Sequence, residues 1–273
     1  MTYFLNFRAQ GVGGPVVDPY LLSGDGTADP PAVSIVPPTQ FSQLFAGRDV
    51  LFATHGFNVS YQGGATSLGL LDQYLGFTGT YLYVAMLWPG DAWIPVIDYP
   101  FEGDVAIDCG KRLAAFCNTW CAGAQSISFA SHSLGARMVL QGIGGISRRV
   151  RLLCMMAGAI NYDCLAAEYA AAAANCDRIT ALASHNDDVL KIAFTIGDPF
   201  ADLLHDDHPP FRPALGYNGP AMPTTVVAPW QISDQQDYGH GSYLPPGDDH
   251  RWEWAADFLR RNFYGQPLIW PSG

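Results

Sequence analysis

A serine flanked by small residues is the feature of this sequence that points most directly to chemistry. Ser133 is the central residue of Ser-His-Ser-Leu-Gly at 131–135, between an apolar run at 127–130 and a helical pattern. A sharp strand-to-helix turn lifts a serine hydroxyl clear of the backbone, and small residues two positions away let strand and helix approach. The segment predicts a nucleophile at Ser133. The alternative is a Ser/Gly turn in an α/β protein without that chemistry.

A nucleophilic serine needs hydrogen-bond donors for the oxyanion that forms during attack on a carbonyl. The amide of Leu134, the residue after the serine, is the first predicted donor, and the second belongs to a loop after an earlier strand. An apolar run at 50–54 ends in His-Gly-Phe-Asn, in which Gly56 lets the backbone turn its amides toward the site. We therefore predict Phe57 as the second donor; the alternative is a plain turn with a local histidine hydrogen bond.

The acid that orients the catalytic base is expected after a later strand. Residues 178–184 have a strand pattern and are followed by His-Asn-Asp-Asp at 185–188. A carboxylate just beyond a parallel strand lies at the edge where sites in open α/β sheets form. We predict Asp187 as the acid, with Asp188 as the alternative. The aspartate that is not the acid is expected to be a solvated cap of the helix that begins at Val189.

The base is expected after the acid, because the order serine, acid, histidine is typical of this arrangement. The histidines in that part of the chain are His205, His208, His240 and His250. His240 stands between two glycines, which give a loop the freedom to aim the ring at Ser133, so we predict it as the base. His250 is expected to begin a helix. The first two lie in an acidic stretch with no third ligand at suitable spacing, so a solvated loop is predicted there rather than a metal site.

These candidates follow a regular alternation of strand and helix patterns. Apolar β-rich runs predict strands at 3–7, 50–54, 81–87, 126–130, 152–157, 179–183 and 225–228. Helical patterns are predicted at 64–75, 104–117, 134–143, 165–174 and 251–263. The alternation predicts an α/β fold with a mostly parallel central sheet and helices on both faces. The length of 273 residues and the absence of a linker or repeat predict a single domain over 1–273.

The motifs resemble those of the α/β-hydrolases, and among these a little-characterised bacterial family. The resemblance spans about residues 45–265 and rests on five boxes: His-Gly-Phe-Asn at 55–58, Trp-Pro-Gly-Asp at 88–91, His-Ser-Leu-Gly at 132–135, Asn-Asp-Asp-Val-Leu at 186–190 and His-Gly-Ser-Tyr at 240–243. It implies an α/β-hydrolase fold with a serine nucleophile at Ser133, an acid at Asp187 and a base at His240. Ser131 replaces the glycine of commoner esterases, and the single His-Gly box differs from the multi-glycine box of another lipase group.

Two regions are predicted to shape a substrate pocket. Trp88 and Trp93 follow a strand at the same sheet edge as Phe57, and they either form a pocket wall or pack helix on sheet. Residues 193–222 contain Phe194 and Tyr217 and are longer than a crossover requires, which indicates a lid or pocket wall. A mobile lid and a rigid cap fit the sequence equally well.

The predicted reaction is hydrolysis of an uncharged ester with an apolar acyl group through an acyl-enzyme, and it requires no metal or organic cofactor. The same residues would serve a thioesterase, an amidase or an acyltransferase. The chain would instead be a binding module if a lid blocked Ser133. A formal net charge of −11 with only 14 basic residues argues against a nucleic-acid partner, and the oligomeric state is left open.

The sequence shows neither a signal-peptide pattern in its first residues nor an apolar run of transmembrane length. A cytoplasmic protein is the default expectation, although a chain trimmed of its signal would look the same. The six cysteines lack a paired metal-binding pattern, and buried reduced thiols are the favoured interpretation. A bridge between Cys164 and Cys176 is the alternative.

Overall fold

A nine-stranded sheet forms the centre of the protein. The computed structural model describes residues 1–9, 14–91, 95–195, 212–221, 226–227, 231–247 and 249–270. The strands within these ranges are β1 Thr2–Arg8, β2 Val16–Asp25, β3 Ala32–Ile35, β4 Asp49–Thr54, β5 Tyr81–Leu87, β6 Ser126–His132, β7 Leu152–Met156, β8 Ile179–Leu182 and β9 Val226–Val227. The helices are α1 Phe41–Phe45, α2 Tyr61–Leu75, α3 Pro95–Trp120, α4 Gly135–Gly145, α5 Ala170–Ala174, α6 Asp188–Thr195, α7 Leu215–Asn218 and α8 Arg251–Phe263.

The strand order is β3-β2-β1-β5-β4-β6-β7-β8-β9, and β4 and β6 are neighbours near its middle. The strands from β1 to β9 in this order pair in parallel, whereas β2 is antiparallel to both β1 and β3. Parallel pairing aligns Thr54 with Ser131, so the loops after β4 and β6 leave the sheet side by side. The predicted α/β fold with a mostly parallel sheet is confirmed.

Two layers of helices cover the sheet. In one layer, α2 packs on β5 and on α8; in the other, α3 packs along α4, which lies on β6. Glycines make the contact between α3 and α4 close: a Cβ on Gly110 would lie 2.6 Å from the Met138 carbonyl oxygen, and a Cβ on Gly142 would lie 2.9 Å from Leu113. A stack of Phe52 on Phe129 joins the central strands within the core, with ring centroids 5.5 Å apart.

The sequence patterns missed the antiparallel pair β2 and β3. Their side chains are mostly half-buried or exposed, and β2 includes Pro19, so neither strand presents the continuous apolar run of the central strands. The helix predicted at 165–174 was too long: residues 162–169 form successive turns, and only Ala170–Ala174 is helical. The helix predicted at 64–75 begins earlier, at Tyr61, because Ser60 caps it by accepting from the Gly63 amide.

Candidate active site

Ser133 occupies a strained turn between β6 and α4. Its φ is 53°, a left-handed conformation that is uncommon for residues other than glycine. The turn is fixed by backbone hydrogen bonds: the Ser133 amide donates to Met156 at 3.0 Å, and its carbonyl accepts from Ala136 and Ala159, each at 3.1 Å. Such strain persists where the surrounding structure determines the conformation. The turn therefore holds the Ser133 hydroxyl at the sheet edge, with 5% of the residue exposed.

Two glycines let neighbouring backbones approach this turn. A Cβ on Gly135 would lie 2.6 Å from the His55 carbonyl oxygen and 2.7 Å from Thr54, so only glycine allows α4 to begin this close to the end of β4. A Cβ on Gly56 would lie 2.7 Å from the Cβ of Ser133. The loop after β4 is therefore in direct contact with the serine.

The predicted serine, base and acid lie within hydrogen-bond distance in series. His240 Nε2 is 2.8 Å from Ser133 Oγ, and His240 Nδ1 is 2.8 Å from Asp187 Oδ2. These contacts join residues 107 and 53 positions apart in the chain, and they meet because the loops after β6, β8 and β9 converge at one sheet edge. The arrangement can move a proton from the serine hydroxyl to an imidazole whose other nitrogen faces a carboxylate.

The Asp187 carboxylate is fully buried, and both of its oxygens are engaged. Oδ2 faces His240, and Oδ1 accepts from the Leu190 amide at 2.9 Å, which makes Asp187 the N-cap of α6. The positive end of the helix dipole stabilises a negative charge at this position. Asp188, the alternative acid, is the first residue of α6 and is exposed to solvent.

The two predicted oxyanion donors belong to the two loops that meet at Ser133. Leu134 directly precedes α4, and within the described ranges no backbone carbonyl accepts from its amide. Phe57 is in the loop after β4, one residue from Gly56, and is partly buried against the core. The next residue, Asn58, has a φ of 58°, and its amide donates to Gly90 at 2.5 Å.

A buried ion pair, which sequence analysis missed, supports this loop. Arg8 at the end of β1 lies 2.5 Å from Asp91, and their side chains are 3% and 9% exposed. The same guanidinium donates to the Trp88 carbonyl at 2.9 Å and to the Val59 carbonyl at 3.3 Å. Arg8 thus joins the loops after β4 and β5. The signal in the sequence was a single arginine at the end of an apolar strand, and it did not indicate a partner.

Trp88 and His55 pack against each other where the loops after β4 and β5 meet. Trp88 has no exposed surface, stacks on the His55 ring at 5.8 Å and donates from Nε1 to the His55 carbonyl at 3.0 Å. His55 Nδ1 in turn donates to the Gly56 carbonyl at 2.8 Å. Burial lowers the pKa of His55 to about 4, so the ring is neutral at pH 7. We therefore interpret Trp88 as a packing residue below the loop and not as a pocket wall.

The other predicted pocket residues have different placements. Tyr217 lies in α7, packs against the core and meets the His185 ring edge to face at 5.4 Å. Its helix is joined to the loop after β7, where the Gly216 amide donates to Gly158. Trp93 and the Phe194 side chain lie outside the described residues, as does most of the predicted lid segment at 193–222.

The described residues contain no group of three or more His, Cys, Asp or Glu side chains that could hold a metal ion. His205 and His208 fall outside them. All six cysteines are buried and free, so the Cys164–Cys176 bridge is absent. Burial raises the pKa of the Cys154 thiol to about 11.

No helix in the described ranges is long and apolar enough to cross a membrane.

The sheet order and a strained serine at the strand-to-helix turn define an α/β hydrolase. A family model described as "Alpha/beta hydrolase of unknown function (DUF900)" matches residues 40–244, and the chain belongs to this family. The match extends from α1 past His240, so it includes every residue of the candidate site except Arg8. No curated protein matches the chain.

Proposed function

We propose that the protein is a serine hydrolase that cleaves carboxylic esters with uncharged, apolar acyl groups. The observation that carries this proposal is the hydrogen-bonded series Asp187, His240 and Ser133, with 2.8 Å at each of its two contacts. Nucleophile, base and orienting acid within hydrogen-bond reach are the parts that nucleophilic acyl transfer requires.

The mechanism has two half-reactions. In the first, His240 takes the proton of Ser133 while Oγ bonds to the ester carbonyl carbon, and the amides of Phe57 and Leu134 hold the oxyanion. Collapse breaks the carbon–oxygen bond of the leaving alcohol, which receives the proton from His240. In the second, His240 deprotonates a water molecule that attacks the acyl-enzyme, and the same proton then returns to Ser133 as the acid product leaves. Asp187 fixes the ring tautomer and stabilises the imidazolium.

The surroundings of the serine favour apolar acyl groups. Leu134 is buried next to Ser133 in the chain, and Phe57, next to Gly56, is a partly exposed aromatic residue. A net charge of −11 disfavours negatively charged substrates. Thioesters, amides and alternative acyl acceptors use the same groups, so they are compared in the same substrate panel.

The test is hydrolysis of p-nitrophenyl esters from acetate to palmitate, run in parallel with fluorophosphonate labelling. Ser133→Ala is expected to abolish both turnover and labelling. Ser131→Ala is the matched control, because its hydroxyl is fully buried and has no hydrogen-bond partner within the described residues. Wild-type protein that fluorophosphonate does not label, or a Ser133→Ala variant that keeps full turnover, would refute the proposal.

The acid is tested by the pair Asp187→Asn and Asp188→Asn. An amide at position 187 favours the wrong imidazole tautomer, and a loss of about 10⁴-fold in kcat is expected from comparable triads. The exposed Asp188 is expected to tolerate the change with little loss. Equal effects at the two positions would contradict the assignment of Asp187.

A further inference from the structure

His132 links the nucleophile's strand to the backbone of the catalytic loop. It is the last residue of β6, directly before Ser133, and its Nε2 lies 2.8 Å from the carbonyl oxygen of His240. The rings of His132 and His240 are 4.9 Å apart with an angle of 48° between their planes. The two residues are 108 positions apart in the chain. Because His132 contacts the main chain of His240, both ring nitrogens of His240 remain available to Asp187 and Ser133.

The hydrogen bond determines the protonation of His132. A carbonyl oxygen only accepts, so Nε2 must carry the hydrogen, and in a neutral imidazole Nδ1 is then unprotonated. Nδ1 faces Gly56, where a Cβ would lie 3.1 Å away. Burial, with a smaller effect of the neighbouring His240, lowers the pKa of His132 to about 3. The ring is therefore neutral at pH 7 and adds no positive charge next to a base that must accept a proton.

The loop that carries His240 is anchored at Tyr243, whose side chain is fully buried, and the His132 bond adds a second attachment at His240 itself. His240 begins a short 3-10 turn, His240–Tyr243, and Gly241 has no heavy atom within 4 Å of its Cβ position. Within the turn, the Gly239 amide and the Ser242 hydroxyl are 3.2 Å apart, a contact that is local to the loop. The His132 hydrogen bond attaches this loop to the last residue of β6, directly before Ser133.

We propose that His132 is a positioning residue whose Nε2–H holds the main chain of His240, and so keeps the His240 ring within reach of Ser133. This inference rests on the proposed serine-hydrolase function. Because His132 acts on the geometry of proton transfer, its replacement is expected to affect kcat much more than KM. A residue that only stabilised the fold would lower the amount of folded protein, whereas kcat expressed per folded protein would stay at the wild-type value.

The test compares His132→Gln with His132→Asn. The Gln amide nitrogen reaches about as far as Nε2 of histidine, whereas the shorter Asn amide ends near the position of Nδ1. His132→Gln is expected to keep most of the wild-type kcat. His132→Asn is expected to lose about 100-fold in kcat, the typical cost of a misplacement of about 1 Å, with KM close to that of wild type. The rate of fluorophosphonate labelling at Ser133 should fall in parallel.

His250→Asn is the control, because that side chain is 89% exposed and hydrogen-bonds to Glu253, which is outside the candidate site. Thermal unfolding of each variant confirms that the compared proteins are folded. Equal kcat for His132→Asn and His132→Gln, with wild type labelled at Ser133, would overturn the inference while the proposed function stands. Wild type that is not labelled at all would refute the proposed function, and the role of His132 with it.

Discussion

Replacement of Gly56 by alanine is expected to impair the site without unfolding the protein. The added methyl carbon would lie 2.7 Å from the Cβ of Ser133, 3.2 Å from its Oγ and 3.1 Å from Nδ1 of His132. Carbon atoms in contact prefer a separation of about 3.5–4.0 Å, so the shortest of these contacts is about 1 Å too close. The serine cannot move away freely, because its amide is hydrogen-bonded to the end of β7 and its carbonyl to α4 and to the loop after β7.

The displacement sets the expected magnitude. A shift of about 1 Å between reacting groups costs about 100-fold in rate, which corresponds to about 3 kcal/mol in the activation free energy. The extra methyl group also overpacks the site, and this is expected to lower the free energy of unfolding by about 1–3 kcal/mol. Most of the effect should therefore appear in kcat/KM of a folded variant.

The assay measures kcat/KM on the best p-nitrophenyl ester, together with the unfolding midpoint in urea. Gly144→Ala is the control for the glycine-to-alanine change itself: Gly144 is an exposed residue of α4, and its Cβ position has no heavy atom within 4 Å. That substitution should leave kcat/KM unchanged and stabilise the helix slightly. A folded Gly56→Ala protein with kcat/KM within a factor of about three of wild type would refute the argument from close contact.

Two further perturbations test the supports of the site. Asp91→Ala removes the carboxylate that faces the buried Arg8 guanidinium. We expect the free energy of unfolding, measured in urea, to fall by about 3–5 kcal/mol. A fall of less than about 1 kcal/mol would contradict the importance of this ion pair. Since the folded-state pKa values of His55 and His132 lie below the ordinary 6.5, the unfolded chain binds more protons and stability falls as the pH drops below about 6.5. The expected loss from pH 7 to 5 is about 2 kcal/mol for each histidine, so His132→Gln should show a smaller pH dependence of urea unfolding than wild type, and identical slopes would contradict the assigned burial.

The central sheet was predictable from the sequence, and the candidate serine, acid and base could be proposed from it, because their signals are local. An apolar run that ends in a small-residue turn indicates a strand end, and parallel strands bring such ends to one edge. The choice between Asp187 and Asp188 was not accessible in this way. It depends on where α6 begins, and Asp187 is the residue whose carboxylate both caps that helix and faces His240.

The parts that sequence analysis missed depend on contacts between distant segments. Arg8 is 80 residues from the Trp88 carbonyl that it holds, and His132 is 108 residues from the carbonyl of its partner. Each of these contacts is made to a backbone oxygen, which every residue type carries. The partner therefore needs no particular residue type and cannot be recognised from the amino-acid sequence. The strands β2 and β3 were missed for a different reason, since half-exposed edge strands lack the apolar runs of the centre.

This difference follows from how the site is built. The side chains that would carry out proton transfer are few and must be of particular types. The groups that position them mainly form hydrogen bonds with main-chain atoms. Met156, Ala136 and Ala159 hold Ser133 through their own backbones, and a neutral imidazole holds the backbone of His240. A substitution among backbone-holding residues can therefore shift the reacting atoms while every predicted catalytic residue is still present. For this reason, the presence of the serine, acid and base predicts the class of reaction, and the contacts of Gly56, Arg8 and His132 determine whether the geometry supports it.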